Sequence, residues 1–260
     1  MRAAVAGAGL VLAAASGSAR ADEVVATYSA YWAGLPAAQI RLKLDDAAMA
    51  YHDEIEISTD GVPHLVTHFR GRALAAGRLA PGGPADPLRY DAIYDLRKRR
   101  NSRIGMRFIV RDGAVVAERA DDDTSRKPPL AEKYRRGIVD PLSAFERIRA
   151  AVAARKATPN ATFVVPVYDG TRRFDVLGRI LPKDQQTPGV VRVEMSLRPI
   201  AGFKGESSDD GDPDDAPRPV ALTLTDDARL LPVSLTVRVF FLPLVVRLDR
   251  VCPGGKPCQG

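Results

Sequence analysis

The stretch VPVYDGTRRFDV, residues 165–176, supports two opposed readings. Asp169, Arg172, Arg173 and Asp175 stand close enough in sequence to form a catalytic or phosphate-gripping loop. The same residues also read as a turn between two strands. Apolar and β-branched residues flank Asp169-Gly170 on both sides. An Asp-Gly pair adopts positive φ at little cost and matches strand twist, so Ala161–Ile180 is expected to be a β-hairpin. Asp169, Thr171, Arg173 and Asp175 then share one face of the ribbon, and Arg172, Phe174 and Val176 the other. The charges become a solvated face or cross-strand pairs, at about 0.2–1 kcal/mol each. Arg172 is kept as a candidate ligand contact.

Working outward, most of the chain repeats this pattern. Ala38–Asp46 sets Ile40, Leu42 and Leu44 on one face and Arg41, Lys43 and Asp45 on the other. Period-two alternation marks a half-buried strand. Val24–Gly34 and Tyr51–Thr59 follow the same rule. Gly105–Arg119 forms a second hairpin around Asp112-Gly113. Gly189–Arg198, Val220–Thr225, Leu231–Phe241 and Leu244–Arg250 supply further strands. PHLVTHFRGRA, from Pro63, also reads as a strand, which places His64 and His68 about 13 Å apart and unable to share a metal.

One segment breaks the period. DPLSAFERIRAAVAARK starts at Asp140, an N-cap residue, with Pro141 at the first helical position. Leu142, Phe145, Ile148 and Val152 recur at helical spacing, with Arg147, Arg149, Arg155 and Lys156 expected off that stripe. The fold class is therefore mainly β: an antiparallel curved sheet, an open barrel or β-spiral, with one amphipathic helix packed in or across it. Three stretches read as loops: Ala80–Leu88, the basic run Leu96–Arg103, and the acidic Gly205–Pro219, whose composition predicts mobility. Its aspartates lack the order of an EF-type calcium loop.

The N-terminus has the parts of a secretory signal in order: Arg2, the apolar run Ala3–Ala15, and Ala19-Arg20-Ala21. Cleavage after Ala21 is expected, leaving residues 22–260 as a single β-rich domain in the periplasm. Removing Arg2 and Arg20 leaves 36 Lys/Arg against 32 Asp/Glu, a net charge of +4. That mild excess points to no nucleic-acid partner. Cys252 and Cys258 flank Pro-Gly-Gly-Lys-Pro, and an oxidising compartment suits a disulfide between them. Two cysteines and no neighbouring histidine do not make a zinc site.

No catalytic motif is present: no H-E-x-x-H, no G-x-S-x-G, no phosphate-binding glycine loop. Neither a cofactor nor a metal is expected. Carboxylate pairs are too numerous for any one to be chosen as catalytic.

YSAYWAGLPAAQIRL, PLRYDAIY, DPLSAF, VYDGTRRFDV and ARLLPVSLTV, in that order, resemble a proteobacterial periplasmic family known as domain of unknown function 3108. The family carries no established activity, so the resemblance transfers no catalytic role. It implies an exported β-rich protein whose curved sheet surrounds a helix, similar to lipoprotein carriers. The concave side of such a sheet must be filled by side chains, a helix or a ligand. The expected function is non-enzymatic: binding a lipid, another apolar molecule or a partner protein through Tyr28, Tyr31, Trp32, Phe69, Tyr90 and Phe145. A ligand-free scaffold for envelope complexes and an envelope hydrolase are the alternatives.

Overall fold

The structure is a computed structural model. It describes residues 22–47, 49–79, 84–97, 99–123, 128–158, 160–182, 188–203, 218–239 and 242–253. The signal-like segment, nearly all of the acidic stretch, and Cys258 lie outside these residues.

In chain order the elements are β1 (Asp22–Trp32), β2 (Leu35–Ala47), β3 (Ala50–Thr59), α1 (Gly61–Thr67), β4 (Arg70–Leu79), β5 (Ala85–Leu96), β6 (Arg99–Arg111) and β7 (Ala114–Arg119). A 3-10 turn (Glu132–Tyr134) leads to α2 (Pro141–Arg155). Then come β8 (Thr162–Tyr168), β9 (Arg173–Ile180), β10 (Val190–Ala201), β11 (Arg218–Thr225), β12 (Pro232–Val239) and β13 (Leu242–Pro253). All thirteen strands form one antiparallel sheet, in the order β7 to β1, then β13 to β8. The first and last strands therefore meet in its middle, with Val24 opposite Pro253 and Trp32 opposite Leu244.

This order leaves β7 and β8 as the two edges. A single connecting segment hydrogen-bonds to both. Ala117 N donates to Arg135 O at 2.9 Å and Gly137 N to Val115 O at 2.7 Å. Val139 N donates to Pro166 O at 3.0 Å and Tyr168 N to Val139 O at 2.9 Å. The sheet thus curls into a nearly closed barrel. Covering a sheet edge in this way removes the exposed template on which chains aggregate.

Alternation decides what faces inward. On β1, Val24, Ala26, Tyr28 and Ala30 are buried, and the intervening residues are not. Tyr31 falls on the opposite parity from this row, contrary to its expected inward position. The inner space contains two apolar clusters. One lies inside β1–β7 around Leu44, Tyr51 and Met106. The other lies between α2 and the strands from β8 onward, around Val152, Val167 and Leu224. Phe145 on α2 packs against both.

The helix begins where Asp140-Pro141 predicts. Asp140 Oδ1 accepts from Leu142 N at 2.9 Å and Ser143 N at 2.8 Å. This satisfies two of the four amides that a helix start leaves unpaired.

Local readings differ from the structure at several places. Ala85–Leu88, expected in a loop, open β5. Residues 61–67 form α1 and not a strand. Pro63 sits in its first turn, where a missing amide costs nothing, and Thr67 Oγ1 returns to Pro63 O at 2.8 Å. His64 and His68 consequently meet in a tilted contact, with ring centroids 4.7 Å apart. The basic run, expected in a loop, is mostly strand: Leu96 ends β5 and Arg99–Arg103 begin β6. Arg218 and Pro219 belong to β11 and not to a loop. The β8–β9 connection is four residues, Asp169–Arg172, and not two. By contrast Asp112-Gly113 is a two-residue turn, with φ of 49° and 72°.

Gly178 on β9 is needed for close packing. The Phe163 ring of β8 occupies the space that a Cβ there would take. Gly178→Ala forces an overpacked core, and a loss of about 1–3 kcal/mol in urea-denaturation stability is expected. Unchanged stability would show that the ring does not lie across this glycine.

Candidate functional site

The 169–175 stretch holds no cleft. Asp169 Oδ1 accepts from Thr171 N at 2.8 Å and Arg172 N at 2.6 Å, a turn held by its own side chain. Asp175 pairs with Arg173 and, across strands, with Arg198, each at 2.6 Å. These contacts hold its carboxyl below the usual range, against the opposing effect of partial burial. Arg172 is exposed and lies 5.4 Å from the centre of the Phe203 ring. The loop is structural.

Two features of the inner face carry chemistry, and both lie against α2. The first is a buried polar cluster. Asp53 (β3), Asp46 (β2) and Glu146 (α2) each offer an oxygen within 4.8 Å of the others. Arg149, one turn after Glu146, donates to both Glu146 oxygens at 2.6 and 2.8 Å. It also donates to Asp46 Oδ2 at 3.0 Å, and its Nε to Arg229 O at 2.8 Å. Arg149 is thus on the packing stripe and not off it. Asp53 is 1% exposed, and its oxygens make no hydrogen bond of good geometry among the described residues, although Glu146 and the Asp45 backbone are close enough to interact. Burial, reinforced by the charges of Glu146 and Asp46, pushes its carboxyl up to about 9. Burial pushes Glu146 up as well, against the pull of Arg149. Asp53 is therefore a neutral acid at pH 7, the usual outcome for a carboxyl with no counter-charge of its own.

The oxygens suit a hard cation in type. Arg149 already occupies three of them, so a cation would compete with a guanidinium. A general acid must also reach its substrate. Asp53 is buried beneath α2, and the cluster ties the helix to β2 and β3.

A second polar chain runs beside it. Tyr51 Oη and Ser143 Oγ are 2.6 Å apart, and Ser143 Oγ also donates to Asp140. A hydroxyl has one proton, so Tyr51 is the donor to Ser143. Burial pushes Asp140 up to about 6, with its accepted hydrogen bonds pulling the other way.

The second feature is a cavity of about 370 Å³ at the N-terminal end of α2. Ile55, Ile57, Phe69, Tyr90, Tyr94 and Leu142 line it. Phe69 and Tyr94 stand at its wall with ring centroids 6.4 Å apart. Ile55 and Ile57 face inward yet remain only partly buried, because no side chain fills the space before them. Of the aromatic candidates, Phe69 and Tyr90 line this cavity, and Tyr28, Tyr31, Trp32 and Phe145 do not. Tyr28 is a core residue whose hydroxyl has no partner among the described residues.

The polar cluster was legible only in part. Asp53 sits at an inward position between Tyr51 and Ile55, and Glu146 and Arg149 lie on the helical stripe. Charged residues at core positions are the available signal. Their convergence depends on a fold that brings residue 46 to residue 149.

Asp53 makes stability pH-dependent with a definite sign. Its folded-state value is about 9 against an ordinary 3.8, so the folded form binds the extra proton between those values. Stability from this group therefore falls as pH rises across that window, by at most about 1.4 kcal/mol per pH unit. Asp53→Asn keeps the shape and cannot ionise. Denaturation between about pH 6 and 9 is expected to show a flatter profile and a more stable protein at the alkaline end. Arg149→Met, which strands Glu146 without its partner, is expected to lose about 3–5 kcal/mol. Parallel pH profiles for Asp53→Asn and the parent would overturn this account.

The fold is similar to that of a solved structure described as a beta-barrel-like protein of domain of unknown function DUF1849 from Brucella abortus. The TM-score is 0.58 at 12% identity, covering 91% of this chain and 100% of the other. At that identity the likeness is one of fold alone. No curated protein matches the chain. No catalytic family is indicated. A family model described as "Protein of unknown function (DUF3108)" matches residues 27–246, and the chain belongs to that family.

Proposed function

We propose that this is an exported, non-enzymatic envelope protein that binds an apolar chain in the cavity beside the α2 N-terminus. The observation that carries the reading is the incompletely filled inner face: Ile55, Ile57, Phe69 and Tyr94 point into a void of about 370 Å³. A void of that size lies at the lower end of small-ligand sites, which are mostly apolar with few polar groups. Leaving apolar surface uncovered there costs stability that a ligand restores. The Arg2, apolar run and Ala19-Arg20-Ala21 order supports export to the periplasm. In that compartment Cys252, 3% exposed on β13, forms a disulfide with Cys258.

The test is direct. The full chain, purified from the exported fraction, is titrated with the fluorescent apolar probe N-phenyl-1-naphthylamine. Saturable binding is expected, and Ala92→Phe, which fills the cavity from β5, is expected to weaken it at least about tenfold. Binding unchanged by Ala92→Phe would place the probe elsewhere. No binding at all, with an intact fold, would leave the scaffold role.

A further inference from the structure

Two aromatic residues of the cavity wall lead, along the chain, into basic segments at the same end of β4 and β5. Phe69 on the wall follows His68, the left-handed cap of α1 with φ 49°. Tyr94 on the wall lies three residues before Arg97. Arg97 is fastened over the end of α1: its N donates to Thr67 O at 2.7 Å and its Nη1 to Leu65 O at 3.5 Å. Arg100, 72% exposed, reaches Asp95 Oδ2 at 3.9 Å, while Asp95 Oδ1 accepts from Asn101 N at 2.7 Å. His64 meets His68 in the tilted contact at 4.7 Å. His68 Nδ1 is buried with no hydrogen-bond partner among the described residues. Partial desolvation, and then the charges of His64, Arg97 and Arg100, hold the His68 imidazole below its ordinary value. Two arginines and two histidines thus converge on one end of the barrel. Among the described residues, Asp95 near the end of β5 pairs with Arg100, and Asp60 stands at the N-cap position at the opposite end of α1.

The geometry points to a single-chain anionic amphiphile as the ligand, with its chain in the cavity and its charged head at the rim formed by His68, Arg97 and Arg100. This rests on the cavity-binding reading above. A neutral apolar ligand has no use for the rim. A cationic one meets the Arg97 and Arg100 guanidiniums, which carry its own sign. A carboxylate or phosphate ester is the complement of guanidinium donors, whose charge-assisted hydrogen bonds are about twice as strong as neutral ones. The cavity volume suits one chain and not two, which excludes an ordinary diacyl lipid held by both tails.

The experiment uses the full-length protein and three probes of one chain length: dodecanoate, 1-dodecanol and dodecyltrimethylammonium. Affinities come from displacement of N-phenyl-1-naphthylamine below the critical micelle concentrations. Dodecanoate is expected to bind about tenfold more tightly than the alcohol, and the ammonium more weakly than either. The dodecanoate advantage is expected to shrink at high salt and to fall to within about twofold in the Arg97→Gln/Arg100→Gln variant. Both side chains are exposed, and an unchanged melting temperature checks that the variant is folded. Equal affinity for dodecanoate and the alcohol would overturn this inference and leave the cavity reading intact. A dodecanoate preference that survives in the double variant would overturn it too. If none of the three displaces the probe from a folded protein, the cavity reading itself fails.

Discussion

A thirteen-stranded antiparallel sheet has two raw edges, and here the same five residues, Arg135–Val139, close both. Their backbone alternates partners, first Ala117 and Val115 on β7, then Pro166 and Tyr168 on β8. Without them each edge would present unpaired amides and carbonyls to solvent and to other chains. The closure also sets the position of everything inside. Val139 is fully buried and pinned to β8, and the next residue is Asp140, the cap of α2. The helix is thereby aimed into the barrel by the residue that seals it.

Once inside, α2 must satisfy two unlike halves. Towards β8 and the following strands it offers Ala144, Ile148 and Val152 to a dry, close-packed cluster. Towards β2 and β3 it offers Ser143, Glu146 and Arg149, which find Tyr51, Asp46 and the neutral Asp53. Buried charge is costly compared with an apolar core, and removing one partner is worse than never having the pair. The arrangement trades stability for position. A Leu-rich face slides easily, whereas Arg149 bonded to Glu146, Asp46 and the Arg229 carbonyl fixes the helix in depth and rotation. A fixed helix depth keeps the space beyond Leu142 open.

The hairpins and α2 were legible because their signals are local. Asp112-Gly113 and Asp140-Pro141 specify backbone angles within two residues, whatever the rest of the chain does. β5 was not seen as a strand because Ala85–Leu96 opens with Ala-Asp-Pro and sits next to a Pro/Gly run, both of which read as loop. α1 was misread because HLVTHF mixes apolar and polar residues in a way that suits either period, and seven residues are too few to separate them. The buried acids were missed for a different reason. Asp46, Asp53 and Glu146 are ordinary acids in sequence, and only the pairing of β2 with β3 and the insertion of α2 bring them together. The cavity has no sequence signal at all, since an absence of side-chain volume appears only when surrounding residues have positions.

The meeting of β1 with β13 in the middle of the sheet has a temporal meaning. Every other neighbour pair joins strands consecutive in sequence. This seam joins residues more than two hundred positions apart, which gives the protein a high contact order and a large entropic barrier to completion. A growing polypeptide can assemble β1 to β7 as one curled meander, and later β8 to β12 as another, linked at their outer edges by Arg135–Val139, but the inner seam stays open until β13 has been made. Until then β1 is a naked lateral template. The exposed edge is covered only when the final strand arrives, which makes the last step of synthesis the one that completes the fold.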